Sequence, residues 1–188
     1  MARCTAFWAT VLLFKCFCLA APPGGSAYDL NGKSVDPLKA NPNKIVVLVF
    51  VRRDCPVSGR YAPTIQRISA EFSQDAEFWL VYPDKDETPL TIRQNLDSFG
   101  YRLPALRDPD HFLVKIAQVK VTPEVAVFDR DRHLVYDGRI DNWYESLTRV
   151  RPAPTTHELE KAIQAALAGR RVAQSDLRGV GCYISDLE

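Results

Sequence analysis

Apolar positions along this chain repeat with two different periods, and the alternation between them lays out the elements. From Ile45 to Val51 every residue is aliphatic or aromatic, the pattern of a central strand buried on both faces. Glu77 to Tyr82 reads as a second strand, closed by Pro83-Asp84. Val125 to Asp129 and His133 to Gly138 flank the polar turn Arg130-Asp131-Arg132 and read as a hairpin. Elsewhere the period lengthens. Ile65, Ile68 and Phe72 recur at helical spacing, with Gln66, Arg67 and Glu71 between them. A helix beginning near Cys55 is expected to kink or restart at Pro63, which lacks the donor that an interior turn needs. Thr88 to Phe99 predicts a second helix, with Thr88 as N-cap, Pro89 at the first position and Gly100 just past the end. Pro109-Asp110 precedes a short helical pattern whose candidate buried positions are Phe112, Val114, Ile116 and Val119. Asp141 to Pro154 reads as a long ordered loop. Thr155-Thr156-His157-Glu158 reads as a capping-box start for a helix that Gly169 stops. The tail, 170–188, shows no period.

The predicted order is strand, helix, strand, helix, short helix, hairpin, helix. Strands separated by helices require right-handed crossovers and parallel pairing, and the hairpin adds antiparallel strands to the same sheet. The expected class is α/β: a mixed central sheet flanked by helices on both faces.

The N-terminus follows another logic. Thr5 to Phe14 is nearly all apolar, Arg3 precedes it, and small residues run from Ala20 to Ala27, the layout of a secretory signal peptide. Lys15 interrupts the run well short of the roughly 20 apolar residues of a membrane span, so no stable span is expected in the mature chain. The expected organisation is a signal peptide at 1–27 cleaved after Ala21 or Ala27, one domain at 28–169 and the tail at 170–188, in an exported protein of the periplasm or the exterior. Losing Arg3 and Lys15 leaves 22 basic against 23 acidic residues. That balance points away from nucleic acid and anionic membrane surfaces as partners.

Export also thins the cysteines. Cys4, Cys16 and Cys18 leave with the signal peptide, and Cys55 and Cys182 reach the mature chain. Two thiols in an oxidising compartment form either a static bridge or a redox pair. The position of Cys55 favours chemistry. It lies where a buried strand passes into a helix, and N–H groups at a helix start favour a thiolate. Pro56 at the next position and Ser58 two further on suit an exposed first turn. Arg52, Arg53 and Arg60 are candidate cations beside it, with Asp54 opposing them.

Here the sequence resembles a known family. Cys55-Pro56-Val57-Ser58 stands where thioredoxin-like proteins carry Cys-x-x-Cys, and Val121-Thr122-Pro123-Glu124 where they carry a Thr-Pro dipeptide ahead of the hairpin. Gly138-Arg139-Ile140-Asp141, Arg151 to Thr155 and Gly181-Cys182-Tyr183-Ile184 resemble exported redoxin-domain proteins related to the alkyl hydroperoxide reductase and thiol-specific antioxidant group. The resemblance implies the thioredoxin fold, a cis Pro123 packed against the Cys55 sulfur, and no cofactor. It implies thiols or disulfides of proteins or small molecules, or hydroperoxides, as reaction partners. Two departures bear on the chemistry. Ser58 replaces the second thiol, so no resolving cysteine lies within the motif. Arg52 and Leu48 stand where a peroxiredoxin carries Thr and Pro, which weighs against a peroxidase.

The expected function is a thiol-disulfide oxidoreductase of the cell envelope, with Cys55 as nucleophile, Ser58 bonding its thiolate, and Cys182 resolving if the tail folds back. Pro56, Thr122, Pro123 and Arg139 are the candidate substrate-positioning residues. The alternatives are a peroxiredoxin-like reductase of hydroperoxides and a non-catalytic binding module that holds a partner through one thiol. His111, His133 and His157 are scattered and none pairs with a cysteine at metal-ligand spacing, so no metal site is expected. Gly59 stands where copper-delivery proteins of this fold carry a second cysteine. Trp143 and Tyr144 are expected to pin their loop to the core.

Overall fold

The structure is a computed structural model that describes residues 26–170, 172, 177–185 and 187. All of the expected signal peptide except its last two residues, 26 and 27, lies outside them. Among the described residues no helix is long and apolar enough to cross a membrane.

Two short strands, β1 (Ala27–Asp29) and β2 (Ser34–Val35), lead into the apolar run, which forms β3 (Ile45–Phe50) with every residue buried. Then follow α1 (Pro56–Glu71), β4 (Ala76–Tyr82), α2 (Pro89–Phe99), β5 (Ala105–Arg107), α3 (Phe112–Ala117), β6 (Val121–Thr122), β7 (Glu124–Phe128) and β8 (Leu134–Gly138). The chain ends with β9 (Tyr144–Ser146), β10 (Arg149–Val150), α4 (Glu158–Leu167) and β11 (Cys182–Tyr183). The main sheet has the order β2-β1-β5-β4-β3-β7-β8. β3 pairs parallel with β4 and antiparallel with β7, the mixed arrangement expected of crossovers followed by a hairpin.

β3 sorts the core into two layers because successive side chains point to opposite faces. Ile45, Val47 and Val49 meet Tyr61, Ile65 and Ile68 of α1, Ile92 of α2 and Leu159, Ala162 and Ile163 of α4. Val46, Leu48 and Phe50 meet Leu113, Val114 and Ala117 of α3, together with Ile184 from the tail. Ile184 of the tail thus joins the second layer, whereas Val172, Val180 and Cys182 pack against the first.

Several local expectations are corrected. α1 does not restart at Pro63; it runs through it as one element, because the face carrying Tyr61, Ile65 and Ile68 buries enough apolar surface to offset one lost turn bond. The short helix buries Leu113, Val114 and Ala117, whereas Phe112 and Ile116 are only partly covered. The capping box before α4 does not form: His157 is the N-cap, and the Thr156 hydroxyl donates to Glu158 Oε1 instead (2.6 Å). The loop after Ile140 contains the ribbon β9–β10, braced by Glu145 between Arg149 (2.8 Å) and Arg151 (2.9 Å). Trp143 and Tyr144 do pin that loop: the rings of Tyr61 and Trp143 meet edge to face at 5.5 Å, and Tyr144 is buried. Arg130, which is exposed, and Arg132, which is half-buried, both hold the hairpin turn in place. They donate to the carbonyls of Asn43 (3.1 Å) and of Lys44 and Asn41 (2.9 and 2.5 Å), tying the hairpin tip to the approach of β3.

Candidate functional site

The site begins where β3 hands over to α1. Val51 N–H still bonds to Val81 C=O (3.0 Å), so the sheet registers the chain up to the turn. Cys55 is the N-cap of α1 in an extended conformation, and its carbonyl accepts the Gly59 N–H (3.2 Å). Pro56 fills the first helical position and is exposed; Val57 and Ser58 are buried. Gly59 is glycine for a packing reason, since a Cβ there would lie 2.7 Å from the Phe99 ring.

Opposite Cys55 lies the turn from β6 to β7, where the Thr122–Pro123 bond is cis. Thr122 and Pro123 are buried, and the Cys55 thiol donates to the Thr122 carbonyl across 3.2 Å. β11 pairs antiparallel with β6 and sets Cys182 directly across from Thr122. The tail thereby brings Cys182 to Cys55, although 127 positions separate them in sequence. Both are free thiols.

The electrostatics of the two sulfurs run in opposite directions. Burial pushes the Cys55 thiol up, but hydrogen bonds from the Cys182 thiol, the Ser58 amide and the Ser58 hydroxyl outweigh it and leave the pKa below the ordinary thiol value. Ser58 Oγ accepts from Arg52 N–H (3.4 Å), which leaves its proton to point at the sulfur. Cys182 is pushed up to about 11, by burial first, then by its hydrogen bond to Cys55 and the Cys55 charge. The two sulfurs are thus coupled, with Cys55 the more acidic of the two.

Cys55 is 2 % exposed, so its sulfur is covered although Pro56 beside it is exposed. Arg139 also lies elsewhere than expected: its guanidinium meets Glu158 Oε1 (2.5 Å), and its backbone N–H donates to the Leu177 carbonyl of the tail (2.8 Å). The cation beside the pair is Arg52, whose charge lowers the Cys182 pKa. Arg52 is held by Asp84 (2.9 Å) and Asp54 (3.1 Å).

Sequence reasoning passed over Glu124, Gly179 and Gly181. Glu124 is fully buried, and its carboxylate bonds the tail at Gly179 N–H (2.7 Å). A Cβ at Gly181 would sit 1.9 Å from the Thr122 carbonyl oxygen, and one at Gly179 would sit 2.7 Å from that of Pro123. The Gly-Val-Gly-Cys spacing ahead of Cys182 was the available signal, because paired glycines beside a candidate thiol mark a close backbone approach. Outside this region, Asp129, Asp131 and His133 bring one ligand atom each within 4.8 Å of one another at the hairpin tip, where Asp129 Oδ1 accepts the His133 N–H as in an ordinary turn.

A mixed sheet, a helix opening on a cysteine and a cis-proline turn at the sulfur define a thioredoxin-fold protein of the redoxin class. More particularly, the chain belongs to the AhpC/TSA family, whose model matches residues 17–137. The matched stretch ends before the tail that carries Cys182. Among solved structures it is similar to an uncharacterized conserved protein from Geobacillus kaustophilus, with 22 % identity over 86 % of this chain and 88 % of that one (TM-score 0.73). A hypothetical protein from Sinorhizobium meliloti 1021 shares 20 % identity over 88 % and 94 % (TM-score 0.70). A secreted Mycobacterium tuberculosis disulfide oxidoreductase homologous to E. coli DsbE shares 16 % over 77 % and 94 % (TM-score 0.52). At these identities the likeness is one of fold. No curated protein matches the chain.

Proposed function

We propose that this protein is a thiol-based oxidoreductase in which Cys55 attacks and Cys182 resolves. The observation that carries the reading is the pairing of Cys182 with Thr122, the residue whose carbonyl lies 3.2 Å from the Cys55 sulfur. With a disulfide substrate, the Cys55 thiolate attacks one sulfur and expels the other half as a thiolate, leaving a mixed disulfide. That step removes the negative charge that helps hold the proton on Cys182. Cys182 then ionises more readily, attacks the Cys55 sulfur and expels the second half. Two electrons pass to the substrate, and the protein gains a Cys55–Cys182 bond that an external dithiol reduces.

The second reading, a peroxiredoxin-like reductase of hydroperoxides, is favoured by the family and by the burial of Cys55. The edge of β6 is already paired with the tail, which leaves access to the sulfur for small oxidants. There the thiolate takes one peroxide oxygen to become a sulfenic acid, releasing water or an alcohol, and Cys182 condenses with it to release water. In both readings the reductant meets the half-exposed side at Cys182, beside Tyr183, which is 79 % exposed. Ser58 serves by bonding the thiolate, Pro56 by starting the helix, and Thr122 and Pro123 by setting the tail strand and the Thr122 carbonyl beside the sulfur.

Export from the cytoplasm completes the proposal. The apolar N-terminus supports it, and burial of Ala27 in β1 supports cleavage after Ala21, which keeps that strand whole. Mature protein incubated with hydrogen peroxide, and separately with an oxidised peptide, tests the activity. Exchange with the peptide supports the first reading and peroxide consumption the second. Neither reaction, or reaction undiminished in Cys55→Ser, refutes the oxidoreductase reading and favours a binding module.

A further inference from the structure

We infer that Glu124 is a positioning residue that latches the tail and so fixes Cys182 against Cys55; the inference rests on the resolving role proposed above. Glu124 follows the cis proline and is 0 % exposed. A carboxylate buried that deeply needs a full set of donors. Here they come from two separate segments: Lys120 N–H (2.8 Å) and Val121 N–H (3.3 Å) bond Oε2, and Gly179 N–H bonds Oε1 (2.7 Å). The bonds to Oε2 close a local turn and would suffice for a residue that only shaped the approach to β6. The bond to Oε1 reaches 55 positions along the chain and lands three residues before Cys182.

On the far side of Cys182 the tail is held again. Arg52 Nη1 donates to the Tyr183 carbonyl (3.3 Å), and Ile184 N–H donates to the Lys120 carbonyl (3.0 Å). Cys182 is therefore bracketed, with a buried anion gripping an amide upstream and a cation gripping a carbonyl downstream. Gly179 is shaped to the latch, since a Cβ there would lie 2.7 Å from Glu124 Cγ. The Pro123–Glu124 pair thus does two jobs through adjacent residues: one side of the turn faces the Cys55 sulfur and the other holds the chain that resolves it.

Two variants test the latch from opposite sides, Glu124→Gln, which places an amide against the Gly179 N–H or the Lys120 N–H, and Gly179→Ala. The mature chain is treated with one equivalent of oxidised glutathione, and closure of the Cys55–Cys182 bond is followed by release of the second glutathione. Closure is expected to slow on the order of tenfold or more in each variant, the scale of one lost hydrogen bond to a charged group. The Cys55 pKa, read from the pH dependence of its alkylation, should rise in both. In a Cys182→Ala background neither variant should move that pKa further, since the latch acts on Cys55 through Cys182; a purely structural role predicts a further shift. Glu124→Asp, which keeps the charge, should recover part of the closure rate. Wild-type closure with unchanged rates in both variants overturns the latch and leaves the resolving role standing. Failure of the wild-type chain to close the bond overturns the resolving role and the latch with it.

Discussion

Replacing Gly181 by alanine should separate the two halves of the chemistry. The added Cβ would lie 1.9 Å from the Thr122 oxygen, 2.6 Å from its carbonyl carbon and 3.1 Å from Pro123 N, all of them backbone atoms that cannot swing aside. Ordinary contact begins at 3.4 Å, so the tail must withdraw by about 1.5 Å, more than a backbone hydrogen bond tolerates. If the ladder between Cys182–Tyr183 and Val121–Thr122 loses about two bonds at about 1 kcal/mol each, docking weakens by roughly 2 kcal/mol, or about thirtyfold. The first step should survive, because Cys55 and Ser58 are untouched, and alkylation of Cys55 by iodoacetamide should quicken as its cover lifts. Closure of the Cys55–Cys182 bond, followed by maleimide quench and intact mass, should slow by about the same thirtyfold. A natively folded Gly181→Ala protein that closes the bond at the wild-type rate, with Cys55 no more reactive, would refute the placement of the tail strand and the argument built on it.

Removing the Cys182 thiol (Cys182→Ala) should raise the Cys55 pKa toward or above the ordinary thiol value, because burial then acts with one fewer opposing hydrogen bond; Ser58→Ala should shift it in the same direction, and thiolate absorbance against pH measures both. Glu87 is raised to about 7, by burial above all, against the Arg53 N–H that bonds its Oε1 (2.8 Å). Its folded form binds a proton that the unfolded chain has released, so stability should fall as pH rises from about 4.5 to about 7, and Glu87→Gln should flatten that part of a urea-denaturation pH profile. Tyr61→Phe removes the 2.6 Å bond from the phenol to Asp141 and should cost about 1–3 kcal/mol in chemical denaturation, with little effect on Cys55 alkylation.

The sequence by itself determined the frame. The apolar run at β3, the hairpin signal and the Thr88–Pro89–Gly100 punctuation of α2 each express a local rule, and each element appears within a residue or two of its expected place. Cys55 was legible for the same reason, as the residue on which a buried strand becomes a helix. The short strands β1, β2 and β5 were not, because two or three residues carry no measurable period and take their conformation from the neighbours they pair with. Only the tertiary structure decided what Cys55 works with. Arg52 reaches Tyr183 across 131 positions and Glu124 reaches Gly179 across 55. Contacts of a side chain with a distant backbone leave no periodic trace in the intervening residues. They also reassigned the charges: Arg139, adjacent in motif, went to Glu158, and Arg52, standing where a hydroxyl was expected, went to the tail. A thiol's nucleophilicity can be inferred from its place at a helix start, but its partner depends on which backbone edge is left unpaired and which glycines let another segment reach it.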